Sequence, residues 1–224
     1  MDYQYDYFYR RNLPHIQPPD ASYFVTYRLA GSIPKAVLEK LKTEWEDFGR
    51  KLLQVKNEIK RIEIIRKERK KYFKKYDETL DKILSGPVWL KNEKVASLIS
   101  EAIHYRDGKK YILDAYTIMP NHVHMVFYVE RNEVSLGRIT DSPYIVTDIL
   151  QSLKRYTAME CNRILNRSGQ FWQRESYDHV IRNKREMVRI IKYVLNNPVK
   201  AGFVERPEQW KWSYCREDIM LNHM

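Results

Sequence analysis

Cysteine is nearly absent: Cys161 and Cys215 are the only two in 224 residues, and they share no paired spacing. That excludes a disulfide framework and a cysteine zinc cage, and it fits a reducing compartment. No apolar run approaches the roughly 18 residues that a membrane helix needs. The opening MDYQYDYFYRRNLPHIQPPD is too polar for a signal peptide. A cytoplasmic protein without a membrane partner is therefore expected. No GxxxxGK(S/T) loop that could bind a nucleotide occurs, nor any internal repeat or low-complexity block.

What is present is positive charge and a high aromatic content of 13%. Lys plus Arg total 40 against 29 acidic residues, for a net charge of +11, with a pI near 9.5. Such a balance points to a polyanionic partner, either nucleic acid or an acidic membrane surface. The hydrophobic fraction of 43% and the 17 tyrosines allow a sizeable core. The length suits one domain over 1–224, carrying an insertion.

Along the chain, Pro14, Pro18 and Pro19 keep the first twenty residues irregular. Tyr23–Leu29 alternates and is rich in β-formers, so it reads as a strand. Then apolar residues recur at alternating steps of three and four: Leu38, Leu41, Trp45, Phe48, Leu52, Val55, Ile59 and Ile62. The same register continues through Arg66 and Arg69 to Phe73, Tyr76, Leu80 and Ile83. This is a coiled-coil pattern over about 35–85. Its one lapse lies within residues 66–75, where seven basic residues meet one acid. Two antiparallel helices folding near that lapse are expected, because a lone helix would leave the seam wet; a self-dimerising coil is the rival. Beyond Gly86 and Pro87 the pattern predicts a helix over Asn92–Tyr105, strands over Tyr111–Met119 and His122–Glu130, and a loop at 131–143. A helix over Ile145–Leu165, a strand over Phe171–Arg182 and a helix from an Asn183/Glu186 capping box to Asn197 follow. Pro198 is expected to stop that last helix. The tail from Gly202 should be irregular, with Trp210 and Trp212 packing on the body. With 35–85 removed, the order is βαββαβ plus one helix. The fold class is thus α+β, a ferredoxin-like antiparallel sheet with helices on one face and a helical coiled-coil insertion.

Two stretches carry chemistry. In Met119-Pro120-Asn121-His122-Val123-His124, residues two apart on a strand point to one face, so His122 and His124 project together and can share a divalent ion. In Tyr193-Val194-Leu195-Asn196-Asn197-Pro198, Tyr193 and Asn197 lie one helical turn apart. A phenol can attack phosphorus, and an amide oxygen can ligate a hard cation. Periodicity does not choose Tyr193 over Tyr156 or Tyr177, and Pro198 is expected to push Asn197 to the helix edge. Arg10, Arg11, Lys154, Arg155, Arg174, Arg182, Lys184 and Arg185 flank these stretches as candidate phosphate contacts. Phe171 and Trp172 are candidate base-stacking residues, with core packing expected for at least one. His179 reads as a strand-surface histidine. Lys192 and Lys200 neighbour Tyr193 in sequence and could lower the cost of ionising it.

The strings RRNLPHIQPPDASYFVTYRLAGSIP, MPNHVH, SLKRYTAMECNRIL, FWQRESYDHVIRN and YVLNNPVKAGFV, in this order, resemble the REP-associated tyrosine transposases, a branch of the HUH single-tyrosine transposases. The blocks fall within residues 10–34 and 111–214; the coiled-coil insertion departs from the shortest members. The resemblance implies that His122 and His124 are the paired metal ligands for Mg²⁺ or Mn²⁺. It implies that Tyr193 is the nucleophile and that Asn197 stands at the third-ligand position. The implied activity is cleavage and rejoining of single-stranded DNA at hairpin (palindromic) elements through a 5′-phosphotyrosine, by a monomer or a homodimer. Rival readings are a domesticated hairpin-DNA-binding protein, an HUH replication or mobilisation nuclease, and an assembly module built on the coiled coil.

Overall fold

The computed structural model describes residues 8–10, 14–16, 20–83, 86–130 and 145–219. Arg11 and the expected loop at 131–143 lie outside these residues. The elements run β1 (Phe8–Arg10), β2 (Pro14–Ile16), β3 (Ala21–Arg28), α1 (Lys35–Leu52), α2 (Glu58–Asp81), α3 (Glu93–His104), β4 (Ile112–Ile118) and β5 (His122–Val129). Then come α4 (Ile145–Ile164), β6 (Tyr177–Ile181), α5 (Lys184–Lys200) and β7 (Ser213–Cys215). The chain divides into two compact units, residues 30–87 and the remainder.

The larger unit is an α+β fold around a five-stranded antiparallel sheet of order β6-β3-β5-β4-β7. Side-chain alternation divides its two faces. Tyr23, Val25 and Tyr27 of β3 and Val123, Met125 and Phe127 of β5 share one core with Val95 and Ile99 of α3 and Ile149 and Leu153 of α4. Both helices of the βαββαβ core thus lie on the expected face. The appended helix α5 packs on the opposite face, where the Tyr193 ring meets Phe24 and His124. With helices on both sides, β3 and β5 are buried almost throughout, so their polar members Thr26, His122 and His124 are enclosed rather than solvated.

Of the expected Asn183/Glu186 capping box only the Asn183 half forms, the Glu186 carboxylate accepting from the Arg182 amide at 3.0 Å instead, and Asn92 supplies a cap that was not expected. Asn92 Oδ1 accepts from the Lys94 and Val95 amides, and Asn183 Oδ1 accepts from the Glu186 amide. Four expectations shift. Residues 8–10 and 14–16, read as irregular, form an antiparallel pair in which Arg10 stands opposite Pro14; a proline can occupy a strand position whose amide is not needed by the ladder. The strand expected from Phe171 begins only at Tyr177; before it, Phe171 and Trp172 both turn into the core, the Trp172 indole donating to Thr157 Oγ1 at 2.9 Å. Both are therefore packing residues. Pro198 does not stop α5, which runs to Lys200. Only the final turn loses a donor there, and Ala201 and Phe203 close it by donating to the Asn197 and Pro198 carbonyls, both at 2.9 Å. The tail supplies a fifth strand, β7, paired to β4. It is anchored by the Trp210 indole on the Ile118 carbonyl at 3.1 Å and by Arg216 on the buried Asp114 carboxylate at 3.2 Å. Three residues are too few to leave a period in the sequence.

In the 30–87 unit, α1 and α2 form an antiparallel hairpin: Trp45 meets Tyr72 edge to face, and Leu41 shares an apolar cluster with Tyr76 and Leu80. The turn falls at 53–57, not near the basic lapse, because Asn57 caps α2 by accepting from the Lys60 amide. The basic run therefore continues as helix. Only the base of the seam is closed; Leu53 and Ile59 at the tip stay about three-quarters exposed, since each helix there has one neighbour to cover it. At the neck, Gly86 sits at φ +90°, and a Cβ there would collide with the Gly31 carbonyl oxygen. Among the described residues no helix is long and apolar enough to cross a membrane.

Candidate active site

Antiparallel pairing sets Thr26 directly opposite His124 and Arg28 opposite His122, so all four point to the α5 face. His122 and His124 are fully buried. Their rings meet edge to face, and their Nε2 atoms approach to 3.1 Å. Each Nδ1 is held from behind: His122 Nδ1 lies 2.7 Å from Asn121 Oδ1, and His124 Nδ1 lies 2.8 Å from Thr26 Oγ1. An amide oxygen can only accept, so His122 carries its proton on Nδ1 and turns the Nε2 lone pair toward its neighbour. The Thr26 hydroxyl can serve His124 the same way. Two imidazole lone pairs aimed at one point, each ring oriented by a partner behind it, is the donor set that suits a divalent cation.

The α5 helix brings its residues to the same face. The Tyr193 ring lies 5.5 Å from the His124 ring and 6.0 Å from Phe24, which it meets edge-on; Phe24 in turn lies 5.5 Å from His124. Phe24 is thus an aromatic floor under both groups. Because the helix continues through Pro198, Asn197 stays inside it, fully buried, at the regular one-turn spacing from Tyr193 rather than at a helix edge. Lys200 places its Nζ 5.7 Å from the Tyr193 ring centroid. Lys192 is exposed.

The competing tyrosines separate on position. Tyr156 lies on the outer side of α4, 43% exposed and facing the Arg106 guanidinium, across the sheet from the histidines. Tyr177 is buried against Phe24. The Tyr193 ring lies against His124.

The proposed phosphate contacts also divide. Arg155, Arg174, Arg182, Lys184 and Arg185 are exposed. Arg10 belongs to β1. Lys154 does not fit the expectation: it is buried, and its ammonium donates to the Arg174 carbonyl at 2.9 Å and Ser176 Oγ at 3.1 Å. Burial, and then the Arg28 charge, pull its pKa down to about 8. It clamps the segment leading into β6. His179 is tied to Glu186 at 3.1 Å. That hydrogen bond, with the Arg182 backbone amide, draws the Glu186 carboxyl down to about 2.

Sequence reasoning did not find Thr26, Asn121 or Phe24. Asn121 stood next to His122 and could have been suspected as an outer partner. Thr26 and Phe24 could not, because their place depends on the register between strands some hundred residues apart.

No family model matches the chain. Among curated proteins, one of Haemophilus influenzae assigned as a REP-associated tyrosine transposase is 30% identical over 107 residues, covering 47% of this chain and 59% of that protein. The REP-associated tyrosine transposase of Escherichia coli K12 is 20% identical over 117 residues, covering 52% and 62%. The chain thus matches about three-fifths of the length of these relatives. A solved structure of a REP-associated tyrosine transposase bound to a REP hairpin aligns with 96% of this chain and 87% of its own, with a TM-score of 0.50 at 15% identity. The chain is similar to REP-associated tyrosine transposases in sequence and shares their fold.

Proposed function

We propose that this chain, a relative of the REP-associated tyrosine transposases, cleaves and rejoins single-stranded DNA at hairpin elements, with Tyr193 as the nucleophile. The observation that carries this reading is the meeting, within one chain, of the Tyr193 ring with His124, whose Nε2 lies 3.1 Å from that of His122.

His122, His124 and Asn197 would hold the metal, Mg²⁺ or Mn²⁺. When bound, such an ion supplies Lewis acidity to the scissile phosphate and a template for in-line attack. Tyr193 Oη gives up its proton and attacks phosphorus. The P–O3′ bond breaks, leaving a 5′-phosphotyrosine and a 3′ oxygen that takes a proton to become the free hydroxyl. Because one phosphate ester replaces another, a second 3′ hydroxyl can reverse the step and join strands without a nucleotide. An ordinary tyrosine ionises near pH 10, so its deprotonation calls on a nearby cation, and Lys200, with Nζ 5.7 Å from the ring centroid, is the candidate. Phe24 and the rigid helix fix the ring's approach, which matters because in-line displacement tolerates little angular error. Exposed Arg155, Arg174, Arg182, Lys184 and Arg185 supply phosphate contacts.

The test is incubation of a labelled single-stranded hairpin with Mn²⁺, followed by denaturing electrophoresis. A covalent protein–DNA band is expected from the wild type and none from Tyr193→Phe, with hairpin binding retained. A band that survives Tyr193→Phe overturns the nucleophile assignment, and Tyr177 and Tyr156 become the next to replace.

A further inference from the structure

The two helices of the 30–87 unit carry different surfaces. α1 has five basic and four acidic residues, and they pair along the helix: Lys35 with Glu39, Lys42 with Glu46, and Arg50 with Asp47. Such spacing supports a solvated helix on its own. Between Glu58 and Lys75, α2 has nine basic residues against three acids. Lys71 pairs with Glu68, Lys74 with Glu78 and Lys75 with Glu44 of α1, but these three acids cannot balance the excess: like charges still fall one turn apart at Arg66/Lys70, Lys67/Lys71, Lys70/Lys74 and Lys71/Lys75, a spacing that destabilises a helix. Solubility does not call for that arrangement, since α1 meets the same need with interleaved signs.

The charge is also ordered in space. Tyr72, Tyr76 and Leu80 define the side of α2 that packs on α1. At 100° per residue, Lys60, Lys67, Lys71 and Lys74 fall within about 60° of one another on the opposite side, with Lys70 beside them and Glu63 and Glu78 the acids on that side. All five are exposed. From Lys60 to Lys74 the row is about 21 Å long at 1.5 Å per residue, which matches about six nucleotide rises of ~3.4 Å along a duplex.

We propose that the lysine face of α2 is a second, sequence-independent binding surface for the phosphodiester backbone of DNA. It deepens the reading above and rests on DNA being the partner, though not on strand cleavage. A polyanion laid along the row relieves the like-charge repulsion within the helix and releases the counterions that its phosphates held. Lysine is suited to this role, being a mobile point charge without the planar fork that reads base edges. An acidic bilayer is the weaker occupant. A helix lying in a membrane must offer a continuous apolar face beneath its cations; over Tyr72–Leu80 that face is closed by α1, which leaves only Ile59, Ile62 and Ile64 of α2 exposed near the tip.

The test replaces Lys67, Lys70, Lys71 and Lys74 together by Gln in the full chain. Affinity for a hairpin with an extended duplex stem is measured by fluorescence anisotropy across a salt series. The slope of log K against log salt should become shallower by about 3 to 4, at roughly 0.9 per phosphate contact. The four-Arg variant should keep the wild-type slope. Circular dichroism should show unchanged helicity, so that the loss reads as charge and not unfolding. An unchanged slope in a folded Gln variant overturns the proposal. So does lysine-dependent sedimentation with phosphatidylserine vesicles while the DNA slope stays the same. The Tyr193 adduct on a minimal hairpin is scored separately: its absence from the wild type, with a lysine-dependent slope intact, removes the cleavage reading and leaves this surface standing.

Discussion

Replacing Asn121 by Ala tests the outer support of the histidine pair. The Asn121 amide oxygen accepts from His122 Nδ1 at 2.7 Å, which holds the ring in the tautomer that offers Nε2 outward. Without that acceptor the ring can turn, or move its proton to Nε2, and either change must be reversed before a cation binds. The lost hydrogen bond alone contributes about 1 kcal/mol. Outer partners of metal-bound histidines commonly account for about 10–100-fold in affinity, or about 1.4–2.7 kcal/mol. The expected result is Mn²⁺ affinity weakened at least tenfold in Asn121→Ala, measured by isothermal titration calorimetry. Tyr193→Phe should leave it near wild type, since Tyr193 is proposed as the nucleophile and not as a ligand. Thr26→Val should cost less than Asn121→Ala, because strand pairing and Phe24 also hold His124 in place. Nitrogen chemical shifts of His122 supply the independent reading: Nδ1 protonated in the wild type, a tautomer mixture in Asn121→Ala. Unchanged Mn²⁺ affinity together with a tautomer mixture would refute the reasoning, because it would separate ring orientation from cation binding.

Three further outcomes follow from the packing. Glu186, held near pKa 2 chiefly by His179, contributes stability that is present above its ordinary pKa of about 4.5 and lost as pH falls toward 2. Glu186→Gln should remove up to about 3 kcal/mol of that pH dependence in urea titrations, and parallel wild-type and mutant curves across this window would contradict the assignment. Trp172→Phe deletes the indole bond to Thr157 and leaves a partly filled core site, so a loss of about 1–3 kcal/mol is expected by thermal or denaturant unfolding. Gly86→Ala forces a Cβ against the Gly31 carbonyl at a positive φ and should destabilise by more than about 1 kcal/mol, read as a lowered unfolding midpoint; a neutral effect would mean that the neck adopts another backbone.

Sequence alone determined much of the architecture, because long elements write their period into the chain. α3 announced itself by apolar spacing, α5 by the Asn183 signal at its start, and β3 by alternation and its β-forming residues. The shared face of His122 and His124 also follows from alternation, which is a property of any strand. What depends on partners was decided only by the tertiary structure. Strand register, set by the whole sheet, brought Thr26 and Phe24 to the histidines. Burial turned Lys154 from a surface cation into an internal clamp. The Asn57 cap moved the hairpin turn ahead of the basic run, and the close of the last turn let α5 continue through Pro198 with Asn197 kept in line. Local spacing fixes which way a side chain points from its own backbone; the neighbours it meets are fixed by segments far away in the chain, whose arrangement no local pattern encodes.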